Sequence, residues 1–322
     1  MRSFLFLFLF ISYTSSAQLT WKNVDSLFQP LPVSVHVYMT NDSMFDGKPN
    51  IAYYVIADLK DKKLDFTADT SMNRRLTPTQ FYIKNDQPLV VVNCTFFSFE
   101  TNRNLNIVIR NKKLLSYNIN KVKVKQADSS IKEQFVFHGA IGINKRRKSD
   151  VAWIQTDSLK KFAFASQIPV TSTHGNFFRK DPSTGKSIPL GGSVSNFSKW
   201  KMKTAVGGGP VLLQNGEIKI TNNEERKFMA KAINDKHPRT AMGYTKDNKL
   251  IILVVQGRFP NTAEGVTLTQ EAQILKDLGC VEALNLDGGG SSCLLINGKE
   301  TITPSDKGLQ RSIPAVFMIK TK

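Results

Sequence analysis

Histidine, cysteine and acidic residues are all scarce in this chain. Four histidines and three cysteines are spread over 322 residues. Cys94, Cys280 and Cys293 are an odd number, so they cannot all pair within one chain, and their spacing is not that of a metal site. Three buried small hydrophobes, or one bridge and a free thiol, are the readings left open. The apolar run at residues 4–11 is too short to span a bilayer comfortably. It follows Arg2 and leads into small residues ending in Ser15-Ser16-Ala17, the order of a secretory signal peptide cleaved before Gln18. No cysteine follows those small residues, so no lipoprotein anchor is expected. No later segment reads as transmembrane. The expectation is export by a signal peptide to the periplasm or the exterior.

Asp and Glu number 26 against 44 Lys and Arg, a formal charge of +18. Basic residues cluster at 121–125 and 145–148. Such a surplus favours acidic partners such as sugar phosphates or anionic glycans. Aromatic residues are not interleaved with these runs as a nucleic-acid platform requires, and export argues against that partner as well. Three segments are expected: a signal peptide at 1–17, a lead-in at 18–50 packed on the main domain, and that domain at 51–322.

Strand patterns are read over 34–39, 51–58, 63–68, 135–143, 151–154, 283–287 and 313–319, with alternation clearest at 34–39 and 283–287, and apolar runs read as buried strands at 88–93 and 250–256. Residues 121–131 read as an exposed loop. Short helices are predicted at 77–82, 158–164 and 223–233. The clearest helix is 267–279, with Thr267 and Gln270 as a capping box and Gly279 as the left-handed stop. Residues 168–202 carry no periodicity and read as long loops, with His174 among them as a possible acid, base or ligand. Strands outnumber helices, so the expected fold is α+β: a mixed β-sheet core with a few packed helices and long loops around the site.

The most informative stretch is Asn285-Leu286-Asp287-Gly288-Gly289-Gly290-Ser291. Asn285 and Asp287 share one strand face, and three glycines follow where the backbone turns or lets something approach. A carboxylate beside free N–H groups is a candidate site for a polar or anionic ligand. A tight hairpin whose Asp caps its own turn is the plainer alternative. A second triplet, Gly207-Gly208-Gly209, precedes another strand, and neither triplet has the lysine and spacing of a nucleotide P-loop. Asn93 ends a buried strand. Arg239 and Arg258 stand at the two ends of one predicted hairpin, where they could clamp a phosphate between guanidinium forks. Glu271 falls within the apolar stripe of its helix. Burial there would raise its pKa toward that of a general acid.

Taken in order, Asn93-Cys94-Thr95-Phe96-Phe97, Gly207-Gly208-Gly209-Pro210, His237-Pro238-Arg239-Thr240-Ala241, Gly257-Arg258, Gly265-Val266-Thr267-Leu268 with Glu271, and 283–291 resemble the phosphodiester glycosidase family. The resemblance runs from about residue 51 to the last strand. It departs at Cys94 and Thr95, where the family commonly has glycine, and in the loop 259–264. The resemblance implies a secreted or luminal hydrolase that cleaves a sugar joined through its anomeric oxygen to phosphate. It implies Asp287 and Glu271 as catalytic residues. It implies Asn93, Arg239, Arg258, Asn285, Gly288, Gly289, Gly290 and Ser291 around the substrate. Asp287 would stabilise an oxocarbenium ion or attack as nucleophile, and Glu271 would donate a proton or orient water. No cofactor is expected. Two alternatives are a non-catalytic glycan or cell-wall polysaccharide binder that keeps the pocket, and a divalent cation held by Asp287 and Asn285.

Overall fold

The parity of one strand organises the centre of the molecule. In Lys249–Val255, Leu250, Ile252 and Val254 enter one core cluster, while Ile251, Leu253 and Val255 enter another on the opposite face. A strand buried on both faces reads as an uninterrupted apolar run, which is why its period is invisible in the sequence. Each such side chain contributes about 1.5–3 kcal/mol relative to exposure.

A computed structural model describes residues 18–125, 129–157, 162–170, 178–180, 183, 187–189, 197–228 and 232–322. Three main sheets carry the fold. The first has eight strands in the order Lys22–Asn23, Val35–Thr40, Ala52–Asp58, Lys249–Val255, Arg239–Thr245, Cys280–Asn285, Val211–Gln214 and Glu217–Ile218. Residues 18–50 therefore contribute its first two strands. The second sheet runs Lys299–Glu300, Leu294–Ile296, Val90–Asn93, Ala315–Thr321 and Leu64–Thr70. The third has seven strands, with Gly139–Asn144 and Met202–Gly207 at its middle.

Every strand pairing among the described residues is antiparallel, which corrects the expected mixed sheet. The fold is also more sheet-dominated than a balanced α+β reading implies. Hairpins and short returns need no crossover helix, so few helices are present. The helix Leu268–Asp277 covers the outer face of the first sheet through Leu268, Ala272 and Leu275. Both halves of its capping box form: Gln270 N donates to Thr267 Oγ1, and Thr267 N donates to Gln270 Oε1. The helix Pro78–Lys84 plugs Phe81 against Val91, Leu295 and Met318 of the second sheet. Between the sheets lies the main core, where Trp153, Ile141 and Val206 meet Val92, Phe317 and Ile252.

Three local expectations differ from the structure. Residues 121–131 are not a loop: Lys121–Lys125 pairs with Ile131–Phe135 as a hairpin, its alternation of lysine and valine being a strand pattern. Phe164 lies in the strand Ala163–Ser166 rather than in a helix. The predicted helix at 223–233 is a single turn, Asn222–Glu225, ended by Arg226 in the left-handed conformation. The three cysteines are buried and free. The signal-peptide reading, His174 and most of the 168–202 loops fall outside the described residues. Among the described residues, no helix is long and apolar enough to cross a membrane.

Candidate active site

The strand Cys280–Asn285 carries the chain to the junction between the first two sheets. Beyond it, Leu286 N donates to the Thr240 carbonyl, and Asp287 N donates to the Cys94 carbonyl at 2.8 Å. Gly289 N donates to the Pro238 carbonyl, also at 2.8 Å. The glycines then make one 3-10 turn, Gly289–Ser291, before the return strand Leu294–Ile296. This is neither an open loop nor a two-residue hairpin. Gly289 has φ +61°, a conformation that favours glycine.

Asn93 locks that turn from the neighbouring sheet. Its Nδ2 donates to the Asp287 carbonyl, while its Oδ1 accepts from Thr240 Oγ1 at 2.9 Å and Cys293 N at 3.1 Å. Asn285 is fully buried and donates through Nδ2 to the Gly209 carbonyl at 2.7 Å. Both asparagines are therefore internal brackets in this structure. That corrects the expectation that they face substrate, because both are buried; Asn285 Oδ1 has no hydrogen-bond partner among the described residues.

Asp287 itself is half-buried at the open side of the turn. Burial raises its pKa to about 6, against the opposing pull of the Ser291 hydroxyl, Lys227 and Arg311. Lys227 is half-buried, and its ammonium lies 3.6 Å from the Phe96 ring centroid. Burial lowers its pKa to about 8, while the carboxylates of Glu225 and Asp287 hold it up. Glu225 is a buried anchor: its carboxylate accepts from Gly139 N at 2.8 Å, Val211 N at 2.7 Å and Thr221 Oγ1 at 2.7 Å. Burial raises the Glu225 pKa despite those three donors and the nearby lysine.

Two guanidinium groups lie over the glycine turn. A methyl group built at Gly289 would stand 3.0 Å from Arg258 Nη2, and one at Gly290 would meet Arg311 Nη2 at 2.2 Å. Side chains there would displace the arginines, so the glycines are what admits them. Arg311 is oriented by Asp306, which accepts from its Nε at 2.8 Å. Arg258 is exposed, with φ +66°. Its Nη2 lies 3.4 Å from His237 Nδ1.

Arg239 and Arg258 are indeed at one rim, since Arg239 pairs with Val255 across the open end of their hairpin. Arg239 nevertheless points inward. It is buried, and its Nε and Nη2 donate to the Val266 and Asp235 carbonyls, each at 3.0 Å. This corrects its expected place in a phosphate clamp. Glu271 is fully buried on the helix stripe, and neither carboxyl oxygen has a hydrogen-bond partner among the described residues. Burial raises its pKa to about 8, with Arg239 the opposing influence. A carboxyl with no solvent contact cannot meet a substrate in this arrangement, so Glu271 stands behind Arg239 and not at the open face.

The sequence model of the phosphodiester glycosidase (NAGPA) family matches residues 85–320. This chain belongs to the phosphodiester glycosidase family. Among curated relatives, N-acetylglucosamine-1-phosphodiester alpha-N-acetylglucosaminidase of Mus musculus is 32% identical over 103 residues, covering 30% of this chain and 20% of that protein. The SPbeta prophage-derived uncharacterized protein YomE of Bacillus subtilis (strain 168) is 38% identical over 81 residues, 25% of this chain and 12% of its own length. The matched segments thus span a fifth or less of these relatives. In three dimensions, the catalytic domain of zebrafish N-acetylglucosamine-1-phosphodiester alpha-N-acetylglucosaminidase, auto-inhibited by its pro-peptide, superposes with a TM-score of 0.62 at 20% identity. That superposition covers 95% of this chain and 89% of that one. A hypothetical protein from Synechocystis superposes with a TM-score of 0.60 at 14% identity, over 94% of this chain and 64% of its own. At such identities the likeness shows the shared fold.

Two cations of this family member's site carry no local signal. Lys227 lies 60 residues before Asp287, in a stretch that reads only as a polar helix, and Arg311 reads only as the approach to the last strand. Both reach the glycine turn through tertiary packing. Among the described residues, no group of three or more His, Cys, Asp or Glu side chains converges as a metal site.

Proposed function

We propose that this chain hydrolyses glycosyl phosphodiesters at Asp287. The observation that carries the reading is one half-buried carboxyl under the influence of Lys227 and Arg311, with a third cation, Arg258, over the adjacent Gly289 of a turn without side chains. A lone carboxylate does not need three cations. A carboxylate beside a bound phosphate does, because the two anions would otherwise repel each other.

In this reading the phosphate lies against Arg258 and Arg311, whose forks match its oxygens, with Lys227 as a point charge. The bond between the anomeric carbon and the phosphate oxygen breaks, and the electron pair leaves with the phosphate. Asp287 stabilises the developing positive charge on the sugar or attacks the anomeric carbon. Water then supplies the hydroxyl group to that carbon. A phosphate monoester is a good leaving group, so a cationic clamp replaces the usual proton donor. Phe96 and Phe228, whose rings meet edge to face at 5.9 Å, flank Lys227 and Arg239 and form an apolar wall for the organic part of the substrate.

The test is incubation of the purified protein with a panel of sugar-1-phosphodiesters in water labelled with heavy oxygen. Free sugar carrying the label is the expected product. Label in the phosphate would mean cleavage on the phosphorus side and would overturn the reading. Saturable binding with no product would leave the non-catalytic glycan-binding alternative in its place.

A further inference from the structure

A second cluster of cations lies away from the glycine turn. It lines a cleft of about 390 Å³ where the start of the strand Leu64–Thr70 meets the far end of the third sheet. Lys203 lines it from the start of the strand Met202–Gly207. The cleft shares no residue with the candidate active site.

The cations in this cleft divide into two kinds. Arg147 is structural: its guanidinium donates to the Leu59 carbonyl at 3.0 Å and the Leu64 carbonyl at 2.5 Å. Lys203 is paired with Asp65, the cleft's acidic residue. Lys112, Lys145 and Lys322 also line the cleft and enter none of the ion pairs among the described residues. Lys112 and Lys145 face each other closely enough that Lys145 is the main cause lowering the Lys112 pKa, with Lys203 adding to it. Ammonium groups held this close repel each other, and a bound anion would relieve that repulsion.

Backbone conformation makes the same point independently. Asn111 and Lys112 form the two-residue turn between Val108–Arg110 and Lys113–Ser116, with φ +49° and +66°. Turns of this kind favour Asn-Gly, and a left-handed lysine costs on the order of 1 kcal/mol relative to glycine. A glycine at position 112 would suit the turn better, yet the chain places an ammonium there, aimed into a cleft already holding others. Local rules broken without a structural gain mark functional positions.

We infer that this cleft is a second, phosphate-binding site, in which the Lys112 and Lys145 ammonium groups grip one doubly charged phosphate group, with Lys203 and the Asn111 and Asn144 amides around it. The same two lysines border a neighbouring cavity of about 310 Å³ walled by Leu114, Trp200 and Met202. An apolar substituent on the phosphate therefore has room. A free phosphate ester and a phosphorylated lipid headgroup share this chemistry.

The experiment uses the protein with Lys227→Ala, Arg258→Ala and Arg311→Ala, which removes the three cations proposed for the first site. Pyrophosphate is titrated calorimetrically, and sedimentation with phosphatidylcholine vesicles is compared with and without phosphatidic acid. Saturable binding to either phosphate source, weakening as salt rises, is expected. Lys112→Glu with Lys145→Glu should weaken it about tenfold or more. Lys112→Gly should weaken it while leaving Tm unchanged or higher, because glycine accepts the left-handed turn. Failure of both sources to bind, or full-strength binding by the Lys112→Gly chain, overturns the inference. Neither result bears on hydrolysis at Asp287.

Discussion

Two glycine triplets of almost identical appearance do opposite work in this protein. At the first, a methyl group on Gly208 would stand 2.3 Å from the Asn285 carbonyl oxygen, and one on Gly209 would stand 2.3 Å from Glu225 Oε2. Those neighbours are backbone and a carboxylate held by three hydrogen bonds, neither of which can retreat. At the second, Gly288 likewise faces a backbone oxygen, that of Pro238 at 2.7 Å, but the obstacles at Gly289 and Gly290 are the tips of Arg258 and Arg311. The first triplet lets two strands approach; the second makes a floor on which cations rest. What separates a structural glycine from a functional one is the mobility of whatever occupies the missing side chain's place.

The largest expected effect is on Asp287. Asp287→Asn should lower kcat on the order of a thousandfold or more with the fold intact. Its Tm should equal or exceed that of the parent above pH 6, because the raised pKa means the buried charge weakens the folded state once it ionises. Next comes Gly208→Ala, which should lose about 3 kcal/mol or more of stability by forcing the strand apart, as read by denaturant unfolding. Arg311→Ala or Arg258→Ala should lower kcat/KM about ten- to a hundredfold without changing Tm appreciably. Gly290→Ala separates the two triplets most sharply: Arg311 swings aside, so the expected outcome is a stable protein with activity reduced about tenfold or less. An unfolded Gly290→Ala chain would erase the distinction.

The smallest effect concerns Glu271. Its folded pKa of about 8 lies above the usual carboxyl value, so its contribution to stability is complete below about pH 4.5 and is lost as pH rises through 8. The difference in Tm between Glu271→Gln and the parent should therefore grow in favour of the variant across that range. A constant difference would mean that Glu271 does not titrate in the folded protein.

Much of this arrangement was readable before any coordinates. The helix after Thr267 announced itself by cap, stripe and stop, and the strand into Asp287 by its alternation, because both signals are local. The antiparallel pairing was not readable, since strand order depends on contacts between segments hundreds of residues apart. Arg239 and Arg258 stand at the two ends of one hairpin in the sequence reading, but nothing in the sequence says that the first turns inward to carbonyls. Lys227 and Arg311 were missed for the same reason. A charge becomes part of a site through its neighbours in space, and neither residue has a distinctive neighbour in sequence. The hairpin at 121–135 was misread because its lysines suggested solvent and hid the alternating valines.

The Asn93 amide has a consequence for when the protein becomes competent. It joins chain positions 194 and 200 residues away, at Asp287 and Cys293. Such closures are made late, after the entropy of a long loop has been overcome. The strand pairings of Lys249 with Asp58 and of Leu294 with Val92 close loops of similar length, so the sheets and the centre share one late step. Competence would therefore arrive together with the completed sheets, and its recovery should track their spectroscopic signal.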